Sequence, residues 1–309
     1  MSILTVILMY ATWSSVFSFG KAALAYSPPL FLTAARMLLA GVLILGFIAF
    51  KNRLALKLSV KQIFSLSLLA IFSIYLTNAL EFWSLQHMTA AKTCFIYSLS
   101  PFFAAFFSYL HFGEKMNRRK WLGMAIGFLG ILPVLAIQKG AEELTAISVF
   151  SWPELAMVGA SICTVYGWVL LRLIVKDASP LVANGVSMLI GGLFALLHSY
   201  LVEDWNPLPV ASSSLIPFGQ NLLIMTVISN LICYNLYGLL LKRFTATFLS
   251  FMGILSPIFA SLSSWLFLGE ALSPVIFLST GIVSLGLWLI YKAELRQGYI
   301  QKQDQPVSA

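Results

Sequence analysis

The chain has 309 residues, 60% hydrophobic and 10% charged, with a formal net charge of +8 and a mean hydropathy of +0.91. Soluble domains carry about 25% charged residues, so a water-soluble fold has no way to hide this much apolar surface, and the composition selects an integral membrane protein in contact with the lipid bilayer. The longest polar stretches run to about 15 residues, too short for a separate soluble domain, and the basic excess lies in short loops rather than in a patch suited to nucleic acid.

The first apolar stretch covers 3–24 and carries Trp13 near its centre and Lys21 near its end. Ala23-Leu24-Ala25 resembles a signal-peptide cleavage site. However, no basic side chain precedes the apolar run and Lys21 interrupts it, so the stretch reads as a spanning helix. The next stretches are 30–50 with Arg36, 62–85 with Tyr75, Asn78 and Glu81, and 89–112 with Lys92, Tyr97 and Pro101. They are followed by 120–137, by 153–175 with Tyr166, Trp168 and Arg172, by 180–201, and by 216–241 with Asn230 and Tyr234. The last two are 245–268, with Pro257, and 273–291. About 20 residues at 1.5 Å each cross a hydrocarbon core of roughly 30 Å. Alternating strands of barrel length are absent, so the expected fold is an all-α integral membrane protein with ten transmembrane helices.

One segment occurs twice. Residues 99–116 and 255–272 align without a gap at an offset of 156 and share nine identities in eighteen positions, including Ser100-Pro101 with Ser256-Pro257 and Gly113-Glu114 with Gly269-Glu270. The chain thus divides into a first five-helix repeat at 1–137, an external linker at 138–152, a second repeat at 153–292 and a cytoplasmic polar tail at 293–309. Five spans per half is an odd number, so the second repeat enters the membrane inverted. Basic residues agree on an orientation. With a cytoplasmic N-terminus, Lys51, Arg53, Lys57, Lys115, Arg118, Arg119, Lys120, Lys242, Arg243 and Lys292 share one side, while Glu142, Glu143, Glu203 and Asp204 gather on the other. Both termini are then cytoplasmic. Inverted repeats are the architecture of alternating-access carriers; a duplication kept only for packing is the other reading.

Ionisable groups within spans are costly in lipid and mark protein or water contacts. Lys21, Arg36, Glu81 and Lys92 fall toward the outer ends of the first four spans, either as an electrostatic cluster or as cations snorkelling to the interface. Glu81 either meets a cationic solute or a proton, or pairs with Arg36. Arg172 lies near an end, where snorkelling suffices. Trp13, Tyr75, Asn78, Tyr97, Tyr166, Trp168, Asn230 and Tyr234 form a neutral set whose amides, phenols and rings suit an organic solute better than a bare ion. Pro101 and Pro257 act as hinges or as tolerated members of a packing seam, and Gly113-Glu114 terminates its helix. Cys94, Cys163 and Cys233 lie singly in apolar runs and suggest neither a disulfide nor a metal site. His87, His111 and His198 are scattered. No hydrolase elbow, phosphate loop or potassium-channel filter occurs, so neither an enzyme nor a nucleotide-driven pump is indicated, and no cofactor is expected. A membrane scaffold, or an enzyme without a familiar motif, is the rival from another class.

On these residues the chain resembles the drug/metabolite transporter superfamily, and within it the EamA-type ten-helix members. The likeness covers 1–292 and rests on Thr12-Trp13-Ser14 with Lys21, on Pro28-Pro29 with Arg36 and Ala40, and on Thr89-Ala90, Pro101 and Gly113-Glu114 with their repeats at Thr245-Ala246, Pro257 and Gly269-Glu270. The second half departs by having no basic residue where Arg36 would repeat; Met188 or its neighbours fall there. The resemblance implies a secondary carrier for a small-molecule metabolite, with a cavity between the halves lined mainly by spans 1, 3, 4, 6, 8 and 9. It is also similar to the S-adenosylmethionine transporters of obligate intracellular bacteria, which implies a cargo with an adenine ring, a sulfonium and an amino-acid end. Exchange for S-adenosylhomocysteine would follow, and amino-acid export is the alternative.

Overall fold

A computed structural model of the chain describes residues 3–87, 93, 96–97, 99–138, 151–176, 179–256, 258–259, 262 and 274–299. The main described elements are α1 (Ile3–Leu24), α2 (Pro29–Lys51), α3 (Val60–His87), α4 (Ser100–Phe112), α5 (Arg118–Gln138), α6 (Trp152–Ile174), α7 (Pro180–Val202), α8 (Ser212–Leu240), α9 (Ala246–Leu255) and α10 (Val275–Arg296). No β-strand occurs among the described residues. Six of these helices, α1, α2, α3, α6, α7 and α8, are long and apolar enough to cross a membrane. Lys92 and Pro257, together with the repeat residues Gly269 and Glu270, lie outside the described residues.

Local chemistry sets where the helices begin and end. Proline stands in the first turn of α2, α4, α6 and α7, where its missing N–H removes no intrahelical bond. Pro101 therefore opens a helix rather than interrupting one. Capping boxes start α3 (Ser59 with Gln62) and α6 (Ser151 with Glu154), and the Thr245 hydroxyl accepts from the Phe248 amide at the head of α9. Helix α2 is capped from a distance: the Leu30 and Phe31 amides donate to the two Glu203 carboxylate oxygens at 2.7 and 2.9 Å. An anion there also complements the helix dipole. Gly113 ends α4 in the left-handed region, at φ +64°, which confirms the expected helix termination.

The other member of that motif has a further role. Glu114 is buried and pairs with Arg172 at 2.5 Å, and the guanidinium lies 4.3 Å from the Phe112 ring centre. Arg172 is thus tied to protein rather than snorkelling. A second correction concerns the end of the last span, expected at Tyr291; α10 continues to Arg296. Its extra turn is held by specific partners. Glu294 pairs with Lys120 at 3.1 Å and accepts from the Thr245 hydroxyl at 2.6 Å, and Gln297 donates to the Lys115 carbonyl at 3.0 Å.

Two segments depart from α-helical winding. Ala70–Leu76 within α3 and Thr226–Cys233 within α8 are π-helical. Their starts are separated by 156 residues, the offset of the duplicated sequence segment. The two most extensive helix pairings are those of α2 with α7 and of α5 with α10. Both contacts are close because glycine is placed at them. A Cβ on Gly41 would lie 2.9 Å from the Leu189 nitrogen, and one on Gly286 would lie 2.6 Å from the Gly123 carbonyl oxygen. Buried apolar side chains of α1, α6, α8, α9 and α10 form the largest core, around Tyr237, Phe248 and Phe251.

Candidate functional site

Helices α1, α3, α4, α6, α8 and α9 surround a cavity of about 940 Å³ including its opening, with Arg36 of α2 adding a seventh contributor. Ligand pockets for small organic molecules combine apolar walls with a few placed polar groups. This cavity fits that description. Spacing on the helices explains its lining: Tyr10, Trp13 and Ser14 share one face of α1, and Thr77, Asn78 and Glu81 share one face of α3.

One wall is aromatic. The Trp13 ring centre is 5.3 Å from that of Tyr234 and 6.2 Å from that of Tyr10, and Trp168 packs on Tyr237 at 4.6 Å. Tyr10 is fixed by its hydroxyl, which donates to the Leu249 carbonyl at 2.7 Å and so ties α1 to α9. The Tyr97 hydroxyl donates to Thr164 at 2.9 Å, and the Thr164 hydroxyl lies 3.1 Å from that of Thr77. Thr77 in turn donates to the Phe72 carbonyl at 2.8 Å, within the π-helical segment of α3. The cavity wall is therefore hydrogen-bonded directly to the irregular part of the helix.

The charged wall holds Arg36 and Glu81. Arg36 is only 3% exposed. Its Nη2 donates to the Asn78 carbonyl oxygen, and the guanidinium carbon lies 5.1 Å from the Phe82 ring centre. Asn78 is itself anchored, its amide donating to the Ile74 carbonyl at 2.7 Å. Arg36 and Glu81 line the same cavity and do not form a contact ion pair. A structural Arg36–Glu81 pair, one of the two readings of the sequence, is not what the residues build here.

Seven of the expected residues, Trp13, Arg36, Asn78, Glu81, Tyr97, Trp168 and Tyr234, line this one cavity. The others lie elsewhere. The Tyr75 hydroxyl is 2.9 Å from His198 Nδ1, and Tyr166 packs among Phe72, Phe107 and His111. Asn230 is buried with its amide 3.0 Å from the Met37 sulfur and 3.8 Å from that of Met188, at the α2–α7–α8 seam. Lys21 is exposed and does not line the cavity. Sequence reading passed over Tyr10, Thr77, Thr164 and Ser229. The signal for Tyr10 and Thr77 was their helical spacing from Trp13 and Glu81. For Ser229 it was the 156-residue offset from Ser73. Among the described residues no cluster of His, Cys, Asp or Glu is arranged to hold a metal.

Comparison with known proteins agrees with this geometry. The chain is 39% identical over 307 residues to a Chlamydia muridarum protein named S-adenosylmethionine/S-adenosylhomocysteine transporter, covering 97% of this chain and 94% of the relative. A Chlamydia trachomatis serovar L2 protein of the same name is also 39% identical, with 97% and 92% covered. One protein of known crystal structure superposes with a TM-score of 0.73 over 94% of this chain and 97% of its own, at 16% identity, which shows a shared fold. The profile of the EamA-like transporter family matches residues 1–136 and 151–292, nearly the whole helical region. The chain is therefore a multi-pass membrane protein that belongs to the EamA-like transporter family, a group of carriers rather than enzymes.

Proposed function

We propose that the chain carries S-adenosylmethionine across a bacterial inner membrane in exchange for S-adenosylhomocysteine. Carriage is by alternating access between two inverted five-helix halves, residues 1–137 and 153–292, joined by an external linker, and both termini are cytoplasmic. The carrying observation is that one cavity sets stacked aromatic rings, Trp13 with Tyr234, beside a buried guanidinium and a carboxylate, Arg36 and Glu81. A purine stacks on such rings. Glu81 opposes the positive charge of the sulfonium. Tyr97, Trp168 and Asn78 complete the contacts, whereas Tyr75, Tyr166 and Asn230 act on helix packing. The twin π-helical segments and the two stretches matched by the family profile support the division into halves. The names of the chlamydial relatives support the cargo.

Reconstitution of the full chain into liposomes tests this reading. Labelled S-adenosylmethionine accumulates faster than in protein-free vesicles, and excess unlabelled S-adenosylhomocysteine suppresses the uptake. Vesicles that move labelled amino acids but not S-adenosylmethionine would assign the chain a different cargo.

A further inference from the structure

Arg36 is built into the cavity as a receptor. One edge of its guanidinium is held by Asn78 and its face is covered by Phe82, while Nε has no hydrogen-bond partner among the described residues. Glu81 shares the cavity without coming into contact with it. A buried cation without a contact anion is costly. A guanidinium offers donors in a planar fork whose free edge matches the two oxygens of a carboxylate. Asn78, locked by its own bond to the Ile74 carbonyl in the π-helical segment, sets the plane of that fork.

The other half offers no equivalent. Met188 or its neighbours fall where Arg36 would repeat, and the Met188 sulfur lies 3.8 Å from the Asn230 amide. Trp13, Tyr234 and the guanidinium line the same cavity, so a flat base and a carboxylate of one molecule can both be met there.

Resting on the cargo proposed above, we infer that Arg36 receives the α-carboxylate of the transported molecule, with Asn78 as its positioning residue. This contact excludes adenosine-type thioethers and sulfonium compounds that lack a carboxylate. The class of ligand is thus a nucleoside bearing a free amino acid, and the nucleoside alone does not suffice.

The test is competition against labelled S-adenosylmethionine uptake in proteoliposomes of the full chain. S-adenosylhomocysteine keeps the carboxylate, whereas decarboxylated S-adenosylmethionine and methylthioadenosine lack it. Removing a charge-assisted hydrogen-bonded pair weakens binding about 10- to 100-fold, so the two carboxylate-free compounds compete at least about tenfold more weakly than S-adenosylhomocysteine. In Arg36→Gln that gap closes to within about twofold, and in Asn78→Ala it narrows. The wild-type comparison stands by itself if Arg36→Gln does not fold. Decarboxylated S-adenosylmethionine competing as well as the parent compound in the wild type would overturn the carboxylate assignment and leave the cargo intact. A folded Arg36→Gln that keeps the gap would do the same. Wild-type vesicles that take up no S-adenosylmethionine would overturn both readings.

Discussion

Glu81 and Trp13 do different work in the cavity, and substitution separates them. Glu81 faces the cavity without a contact pair to Arg36. If it opposes the cargo's sulfonium, Glu81→Gln raises the KM for S-adenosylmethionine roughly tenfold, a loss of about 1.4 kcal/mol. Competition by S-adenosylhomocysteine, uncharged at sulfur, then changes by less than about threefold. Equal loss for both compounds would point to a structural carboxylate instead. Trp13 stacks near Tyr10 and Tyr234. Stacking on a base is worth about 1–3 kcal/mol by alanine substitution, so Trp13→Ala weakens competition by both adenosyl compounds alike, while Trp13→Phe retains most of it. These residues were legible in the sequence because an amide, a charge or an indole stands out in an apolar run. Tyr75, Tyr166 and Asn230 stood out equally and lie elsewhere, because composition does not say which way a helix turns its faces. In α3 the π-helical segment contains Tyr75 and adds to that difficulty: each extra residue in a turn rotates the remainder of the helix by about 100°.

At the scale of elements, the positions of the six long apolar helices were readable from hydropathy. The π-helical segments were not. Nothing in Ala70–Leu76 or Thr226–Cys233 breaks an apolar helical pattern, and the wide turn is fixed by neighbours such as Gly167, where a Cβ would come within 2.4 Å of the Ser73 Cβ. The extension of α10 was also hidden, because Glu294 reads as tail until Lys120 and Thr245 are brought beside it. Lys120 and Glu294 are 1% and 0% exposed, so Lys120→Met alone leaves a buried carboxylate and costs about 3–5 kcal/mol of stability. Lys120→Met combined with Glu294→Leu recovers much of that loss, as thermal unfolding in detergent can measure. The α5–α10 contact is equally specific. Gly286→Leu forces the two backbones apart and lowers the unfolding temperature, whereas leucine at Gly281, which has open space around its Cα, leaves it nearly unchanged.

For the whole molecule, duplication and function are carried by different residues. The paired π-helical segments stand 156 residues apart, as the duplicated sequence segment does, and the contacts of α2 with α7 and of α5 with α10 join the two stretches matched by the family profile. Arg36, Asn78 and Glu81 are not repeated: Tyr234 and Tyr237 stand 156 residues on from Asn78 and Glu81, and Met188 or its neighbours fall where Arg36 would repeat. In the carrier proposed above, the two halves rock about this cavity and its unrepeated lining meets the cargo. In the proposed exchange the loaded cavity reorients faster than the empty one, so cargo on the far side accelerates uptake. The most direct measurement is therefore the initial rate of labelled S-adenosylmethionine entry into liposomes preloaded with unlabelled S-adenosylhomocysteine. The account predicts entry several-fold faster than into vesicles loaded with buffer, with label accumulating transiently above the external concentration. Entry at the same rate in both, levelling at equal concentrations inside and out, would contradict an exchanging carrier.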